Sequence, residues 1–222
     1  MSIAASSQTN ILSPDLRLIT EARHHDPFAV LGRHPHGTGE CVQAYLPGAR
    51  AVYLTDIDAP LQRIGNSDVF RWEGPAGCLP PHYRITWTDA GNQTHTRFDP
   101  YCFAPQLRDF DLHLFGEGRH WHAYRFMGAH PHRADDIDGV LFAVWAPSAE
   151  RVSVVGEFNA WDGRCHPMRV RGGSGIWELF IPGLSTGQLY RYEIRNRDHG
   201  TIHTKIDPYG REFEYRPGTA GR

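Results

Sequence analysis

The stretch Phe142–Gly163, FAVWAPSAERVSVVGEFNAWDG, decides the fold. It holds two short runs with period-2 alternation, Phe142–Trp145 and Arg151–Val155, the pattern of two half-buried β-strands. Between them, Ala146-Pro147-Ser148-Ala149 supplies a proline-nucleated turn. Gly156 then breaks the second strand, and Phe158–Gly163 forms a polar-tipped loop around one large aromatic, Trp161. Asn159 can hydrogen-bond its own backbone, and Asp162-Gly163 supplies the positive-φ dipeptide of a tight turn. The pattern predicts Trp161 on a stiff loop, outside any strand.

Working outward, the same pattern occurs a second time. Ala44–Leu54 (AYLPGARAVYL) lies over Val144–Val154 (VWAPSAERVSV) at an offset of 100 residues. Trp72-Glu73 matches Trp177-Glu178, Tyr83-Arg84 matches Tyr190-Arg191, and Asp99-Pro100-Tyr101 matches Asp207-Pro208-Tyr209. Gly32-Arg33-His34-Pro35-His36 is echoed by Gly128-Ala129-His130-Pro131-His132. A repeat this long is not a solenoid; it fits two duplicated sandwiches. The expected class is all-β: two tandem immunoglobulin-like β-sandwich domains, with short helices at the N-terminus and in the linker. Ser13-Pro14 and Asp26-Pro27 mark the N-terminal helices, the second a single turn stopped by Gly32. Another short helix is expected over Gly118–Met127, and a last short strand near Glu212–Tyr215. The division by pattern is a flexible tail at 1–13, a first sandwich at 14–105, a linker at 106–118, a second sandwich at 119–218 and a tail at 219–222.

The 222 residues have 40% hydrophobic and 22% charged content and a net charge of −2, which leaves no electrostatic footprint for nucleic acid or an anionic membrane. No apolar run is long enough to span a bilayer, and Met1–Asn10 lacks the features of a signal peptide. Cys41, Cys78, Cys102 and Cys165 are far apart and form no CxxC pair, which fits reduced thiols in a cytoplasmic protein.

Phe142-Ala143-Val144-Trp145-Ala146-Pro147 followed by Val154-Val155-Gly156 and Phe158-Asn159-Ala160-Trp161-Asp162-Gly163 resembles the family-48 carbohydrate-binding module of bacterial glycogen branching enzymes. Arg164–Arg169 (RCHPMR) and Asp207-Pro208-Tyr209 extend the likeness. The resemblance implies an N-terminal region whose parent enzyme moves segments of α-1,4-glucan into α-1,6 branches during glycogen synthesis. In that family the run Arg216-Pro217-Gly218-Thr219-Ala220 leads into a catalytic barrel, and a barrel needs about 200 residues or more. The expected partners are thus α-1,4-glucan and that barrel, with no nucleic acid and no membrane.

An α-glucan site needs flat aromatic faces flanked by hydrogen-bonding groups, because the sugar ring has an apolar face and a hydroxylated rim. Trp161 is the candidate platform, with Asn159 and Arg191 as hydrogen-bonding companions; the alternative is that Trp161 is core or interface. Glucan-binding relatives carry a second tryptophan after the following hairpin turn, where this chain reads Gly200-Thr201-Ile202-His203. Trp72, Trp145 and Trp177, and with them Tyr45, sit at repeated strand positions and are read as core. The 14 histidines include His24-His25 and the pairs His34/His36, His120/His122 and His130/His132, but no neighbouring ligand completes a tetrahedral metal set. No cofactor motif occurs. Glycosyl transfer requires two carboxylates across the scissile bond, whereas Glu157, Asp162, Asp135, Asp136 and Asp138 lie on turns without a catalytic motif. The chain by itself is expected to be inactive. Two rival readings are a scaffold packing against a barrel or partner without binding sugar, and a stand-alone glycogen-targeting adaptor.

Overall fold

The computed structural model describes residues 12–215 and 217–222, so all but the last two residues of the expected flexible tail lie outside the described residues. Ser13 caps α1 (Pro14–Thr20), its hydroxyl accepting the Leu16 N–H at 3.3 Å, with Pro14 in the first turn. Asp26 caps a single 3-10 turn, Pro27–Ala29, in the same manner, and Gly32 leaves that turn with φ +87°. Eight strands follow: β1 (Gly32–His36), β2 (Gly39–Tyr45), β3 (Ala51–Leu54), β4 (Ala59–Pro60), β5 (Gln62–Arg63), β6 (Val69–Gly74), β7 (Arg84–Thr88) and β8 (Thr94–Phe98). They form two antiparallel sheets, ordered β1-β2-β6-β5 and β4-β3-β7-β8. Alternate residues face inward, so Val42, Ala44 and Phe70 of one sheet meet Val52, Leu54, Tyr83 and Ile85 from the other side.

The second sandwich comprises β9 (Gly128–Ala134), β10 (Ile137–Trp145), β11 (Ala149–Gly156), β12 (Arg169–Val170), β13 (Ile176–Pro182), β14 (Tyr190–Asn196) and β15 (Ile202–Lys205). Its sheets are β12-β13-β10-β9 and β11-β14-β15. Phe142, Val144, Trp177 and Leu179 pack against Val152, Val154, Tyr190 and Tyr192. Near Glu212–Tyr215, where a short strand is expected, the backbone makes only an isolated bridge between Phe213 and Gly221. The fold is all-β, with two short α-helices among the described residues.

The duplication holds at atomic detail. Tyr83 donates its hydroxyl to buried Asp99 at 2.6 Å, and Tyr190 donates to buried Asp207 at 2.6 Å. Each aspartate also accepts the N–H of the tyrosine two residues on, Tyr101 at 3.0 Å and Tyr209 at 2.8 Å. Gly32 and Gly128 open the first strand of each sandwich at φ +87° and +100°, where a Cβ would come within 3.3 Å of Tyr101 and Tyr209 respectively. His34 bonds the Leu31 carbonyl at 2.9 Å, and His130 bonds that of Met127 at 2.8 Å. The repeated histidines are thus fixtures of the strand entrance. Pro35 and Pro131 lie on the edge strands β1 and β9, where a missing N–H leaves no central ladder broken.

Three sequence alignments or assignments shift. Ala44 pairs with Phe70 and Val144 pairs with Trp177, so Trp177 is the counterpart of Phe70 and not of Trp72. Trp72 is only half-buried, beside the first core. Trp145 is 54% exposed, because Val144 takes the inward position and the strand's alternation turns Trp145 out. Its counterpart Tyr45 faces outward too, but is buried under Leu16 and Ile19 of α1.

The segment at 106–118 connects the sandwiches without hanging free. Its helix is α2 (Asp109–Gly116), and the stretch expected to be helical, Gly118–Met127, holds only a 3-10 turn at Ala123–Arg125. Asp109 and Asp111 favour the N-terminal turn of α2, and Gly118 closes its end with φ +68°. Phe103, Leu107 and Leu112 cover the outer face of the second sandwich, against Leu141, Ala143 and Phe180. The buried Glu178 carboxylate accepts the N–H groups of Gln106 at 3.1 Å and Leu107 at 2.9 Å and pairs with Arg171 at 2.9 Å.

Candidate functional site

The loop after β11 is built by Asn159. Its Oδ1 accepts the Gly156 N–H at 2.9 Å, and its Nδ2 donates to the Val154 carbonyl at 2.9 Å. The amide side chain thereby closes the 3-10 turn Glu157–Asn159 onto the strand it leaves. Gly156 is required by proximity: a Cβ there would lie 2.3 Å from the Leu189 carbonyl oxygen. The left-handed residues are Ala160 and Trp161, at φ +53° and +61°, where the sequence places the positive-φ pair at Asp162-Gly163. Two successive non-glycine residues in that region cost about 1–2 kcal/mol each. The Asn159 bonds and the Trp161 N–H to Gly156 carbonyl bond at 2.9 Å hold them there.

Trp161 emerges 39% exposed, with the Arg191 guanidinium carbon 5.7 Å from its ring centroid. Arg191 projects from the outer face of β14, opposite Tyr190 and Tyr192, which face the core. Trp161 and Arg191 are thus brought together. Asn159 is adjacent, but its amide is spent on the backbone and on His166 Nδ1 at 2.8 Å.

Two groups at the base of this loop were not singled out from sequence. Arg151 is fully buried and donates to the carbonyls of Ala22 at 2.9 Å and Gly163 at 3.4 Å, to Ser153 Oγ at 2.9 Å and to Glu193 at 2.8 Å. Gly163 has no room for a side chain, since a Cβ would overlap the Glu193 carboxylate. His166, also buried, is held neutral: burial and then the neighbouring Arg97 push its pKa well below the usual imidazole value. The run Arg164–Arg169 forms the seam with the first sandwich. Tyr101 donates to the Pro167 carbonyl at 3.3 Å, and Arg169 stacks on Phe28 at 3.2 Å. Only charge in an otherwise apolar strand hinted at Arg151, and nothing local hinted at His166.

Among the described residues no group of three His, Cys, Asp or Glu side chains is placed to hold a metal ion. The cysteines are free, and burial leads in raising all four thiol pKa values, that of Cys165 to about 11. No described helix is long and apolar enough to cross a membrane.

A sandwich that displays a half-exposed tryptophan on a braced loop has the form of a carbohydrate-binding module, and residues 126–210 match Carbohydrate-binding module 48 (isoamylase N-terminal domain). Residues 13–101 match the alpha-1,4-glucan branching enzyme N-terminal domain. The chain as a whole is similar to the N-terminal part of 1,4-alpha-glucan branching enzymes. It is 60% identical over 97% of its length to 1,4-alpha-glucan branching enzyme GlgB of Methylococcus capsulatus, and 55% identical over 96% to that of Cellvibrio japonicus. The chain spans 29% and 30% of the length of these curated relatives. Among solved structures it aligns with a maltotriose-bound pullulanase from Anoxybacillus sp. LM18-11 at 14% identity and a TM-score of 0.35, over 86% of this chain and 27% of that one.

Proposed function

We propose that this region is the non-catalytic, α-glucan-positioning part of a glycogen branching enzyme, holding long α-1,4-linked chains for a catalytic barrel that rejoins them through α-1,6 bonds. The observation that carries the reading is Trp161: a large aromatic half in water, in a costly left-handed conformation, on a loop braced from beneath by Asn159. Conformational cost retained at an exposed position suits a functional residue. The ring offers a stacking face, and Arg191 offers donors to the sugar's hydroxyl rim. One stacked ring with few partners implies affinity of roughly millimolar order, about −4 kcal/mol. The free, protonated thiols support a cytoplasmic setting.

Affinity electrophoresis through glycogen tests the reading. Trp161→Ala should migrate faster than wild type in the glycogen gel and alike without it, with a melting temperature little changed. A second reading, a scaffold that binds no sugar, is favoured by one feature: the residues directly after Trp161 are committed to the seam between the sandwiches. Under that reading Trp161→Ala lowers the melting temperature and leaves retention as it was.

A further inference from the structure

Tyr190 and Arg191 begin β14, and two separate parts of the chain meet there. On one side the register partner of Tyr190 is Gly156, the residue from which the Trp161 loop departs. On the other side Tyr190 exchanges both backbone bonds with Gly221, at 2.9 and 3.0 Å. The segment after the second sandwich is therefore seated on the strand that carries Arg191.

Glu214 belongs to that segment and locks it. Its backbone N–H donates to the Ala220 carbonyl at 3.0 Å, and its Oε2 accepts the Ala220 N–H at 2.8 Å. A Cβ on Gly218 would lie 2.7 Å from the Glu214 Cβ, so the turn closes tightly over this side chain. The same Oε2 lies 3.8 Å from Arg191 Nη2. Arg191 Nε is buried and has no partner among the described residues. The guanidinium thus has one loose ion pair, one aromatic neighbour and unspent donors. Without Glu214, a long arginine side chain samples many rotamers and holds no fixed place beside Trp161.

We propose that Glu214 is a positioning residue of the Trp161 platform: by holding Arg191 beside the ring, it makes glucan binding and the seating of the Ala220-Gly221 end of the chain on β14 a single equilibrium. This rests on the reading that Trp161 stacks on sugar. A sugar whose hydroxyls take the Arg191 donors fixes that guanidinium, and linkage then requires that it also favour the seated segment. Partly exposed ion pairs contribute little, so the effect is small, about 2- to 5-fold in affinity.

The test uses the full chain as wild type, Trp161→Ala, Arg191→Ala, Glu214→Gln, Glu214→Asp and the Arg191→Ala/Glu214→Gln double variant. Glu214→Gln keeps an acceptor for the Ala220 N–H and removes only the charge. Retention is measured on glycogen gels, and hydrogen exchange at the Tyr190 and Gly221 amides is followed with and without maltoheptaose. Glu214→Gln should weaken retention about 2- to 5-fold, Glu214→Asp should restore part of it, and the double variant should bind no worse than Arg191→Ala. Maltoheptaose should slow Gly221 exchange in wild type and not in Arg191→Ala. The inference is overturned if Glu214→Gln binds as wild type, if the two losses simply add, or if sugar leaves Gly221 exchange unchanged while Trp161→Ala abolishes retention. If Trp161→Ala itself binds as wild type, the platform reading falls, and this inference with it.

Discussion

The guanidinium of Arg97, in the first sandwich, lies 3.1 Å from Nε2 of His166, in the second. A neutral imidazole has one acceptor nitrogen, and the Asn159 amide nitrogen stands 2.8 Å from the other one. Donors thus face both ring nitrogens, and an added proton would be buried without a partner. Burial and then Arg97 place the His166 pKa well below its ordinary value, so the unfolded chain binds this proton first as pH falls. Stability is then fully present above about pH 6.5 and lost below it, by up to about 1.4 kcal/mol per pH unit for one such group. His24 and His132, both lowered chiefly by burial, act in the same direction. Asp99 and Asp207, raised chiefly by burial, act oppositely, since the folded state takes up their protons first. Urea titrations of wild type and His166→Gln between pH 7.5 and 5.5 isolate the histidine: the stability difference should narrow on acidification by up to about one proton's slope. A difference independent of pH would contradict this account.

Glu178 should be the most sensitive charge in the second sandwich. Its removal leaves two linker N–H groups without their acceptor and takes from Arg171 its buried carboxylate, leaving it the Leu107 carbonyl and exposed Asp109. Glu178→Ala should cost about 3–5 kcal/mol in chemical unfolding. In the wild type, trypsin should cut first at Arg119, in the exposed turn after α2, and leave Arg108 intact until later. Early cleavage at Arg108 in the wild type would mean that the connection is not held as described.

The two tyrosine–aspartate pairs should respond unequally to the same change. Tyr83→Phe strips Asp99 of its only side-chain hydroxyl donor among the described residues, whereas after Tyr190→Phe the hydroxyl of Tyr192, 3.4 Å from Asp207, remains. Loss of a hydrogen bond to a charged group costs about 1.5–3 kcal/mol. Tyr83→Phe should fall in that range and Tyr190→Phe below it, as read by thermal unfolding. Equal losses would argue against a role for Tyr192.

Gly163→Ala should disturb the Trp161 loop from beneath. Its new methyl group would displace Glu193, which Arg151 holds at 2.8 Å. A cost of about 1–3 kcal/mol is expected, with weaker glycogen retention as the loop shifts. Gly172→Ala is the control: nothing lies within 4 Å of its added carbon. It should lose stability only for its φ of +56° and leave retention unchanged.

Much of the architecture was legible because duplication writes each signal twice. The Pro47 and Pro147 turns, the tyrosine–aspartate pairs and the Ser-Pro and Asp-Pro caps all use local chemistry that a sequence displays directly. Residue identity sets Trp72 opposite Trp177, whereas the register that backbone bonding fixes lies two residues away, at Phe70. β1 and β9 are not legible as strands because Gly-x-His-Pro-His carries no alternating apolar pattern, although an edge position accommodates its proline. Trp145 and Tyr45 share one strand position and differ in burial only through what covers them, and α1 is remote from Tyr45 in sequence. At the Trp161 loop, the neighbours Trp161 and Arg191 could be named from sequence. The Arg97–His166 and Arg151–Ala22 contacts could not, since each joins residues from different sandwiches or distant segments.

The packing of Phe103, Leu107 and Leu112 on the second sandwich means that the inherited unit and the folding unit have different edges. The recognisable module runs from residue 126 to 210, yet part of its apolar cover lies before that span, and fully buried Ala220 lies after it. Excised at its family limits and moved onto another protein, the module would carry a bare hydrophobic wall and an open strand end, both invitations to aggregate. A graft that begins near residue 102 and continues through 222 would take its own cladding with it.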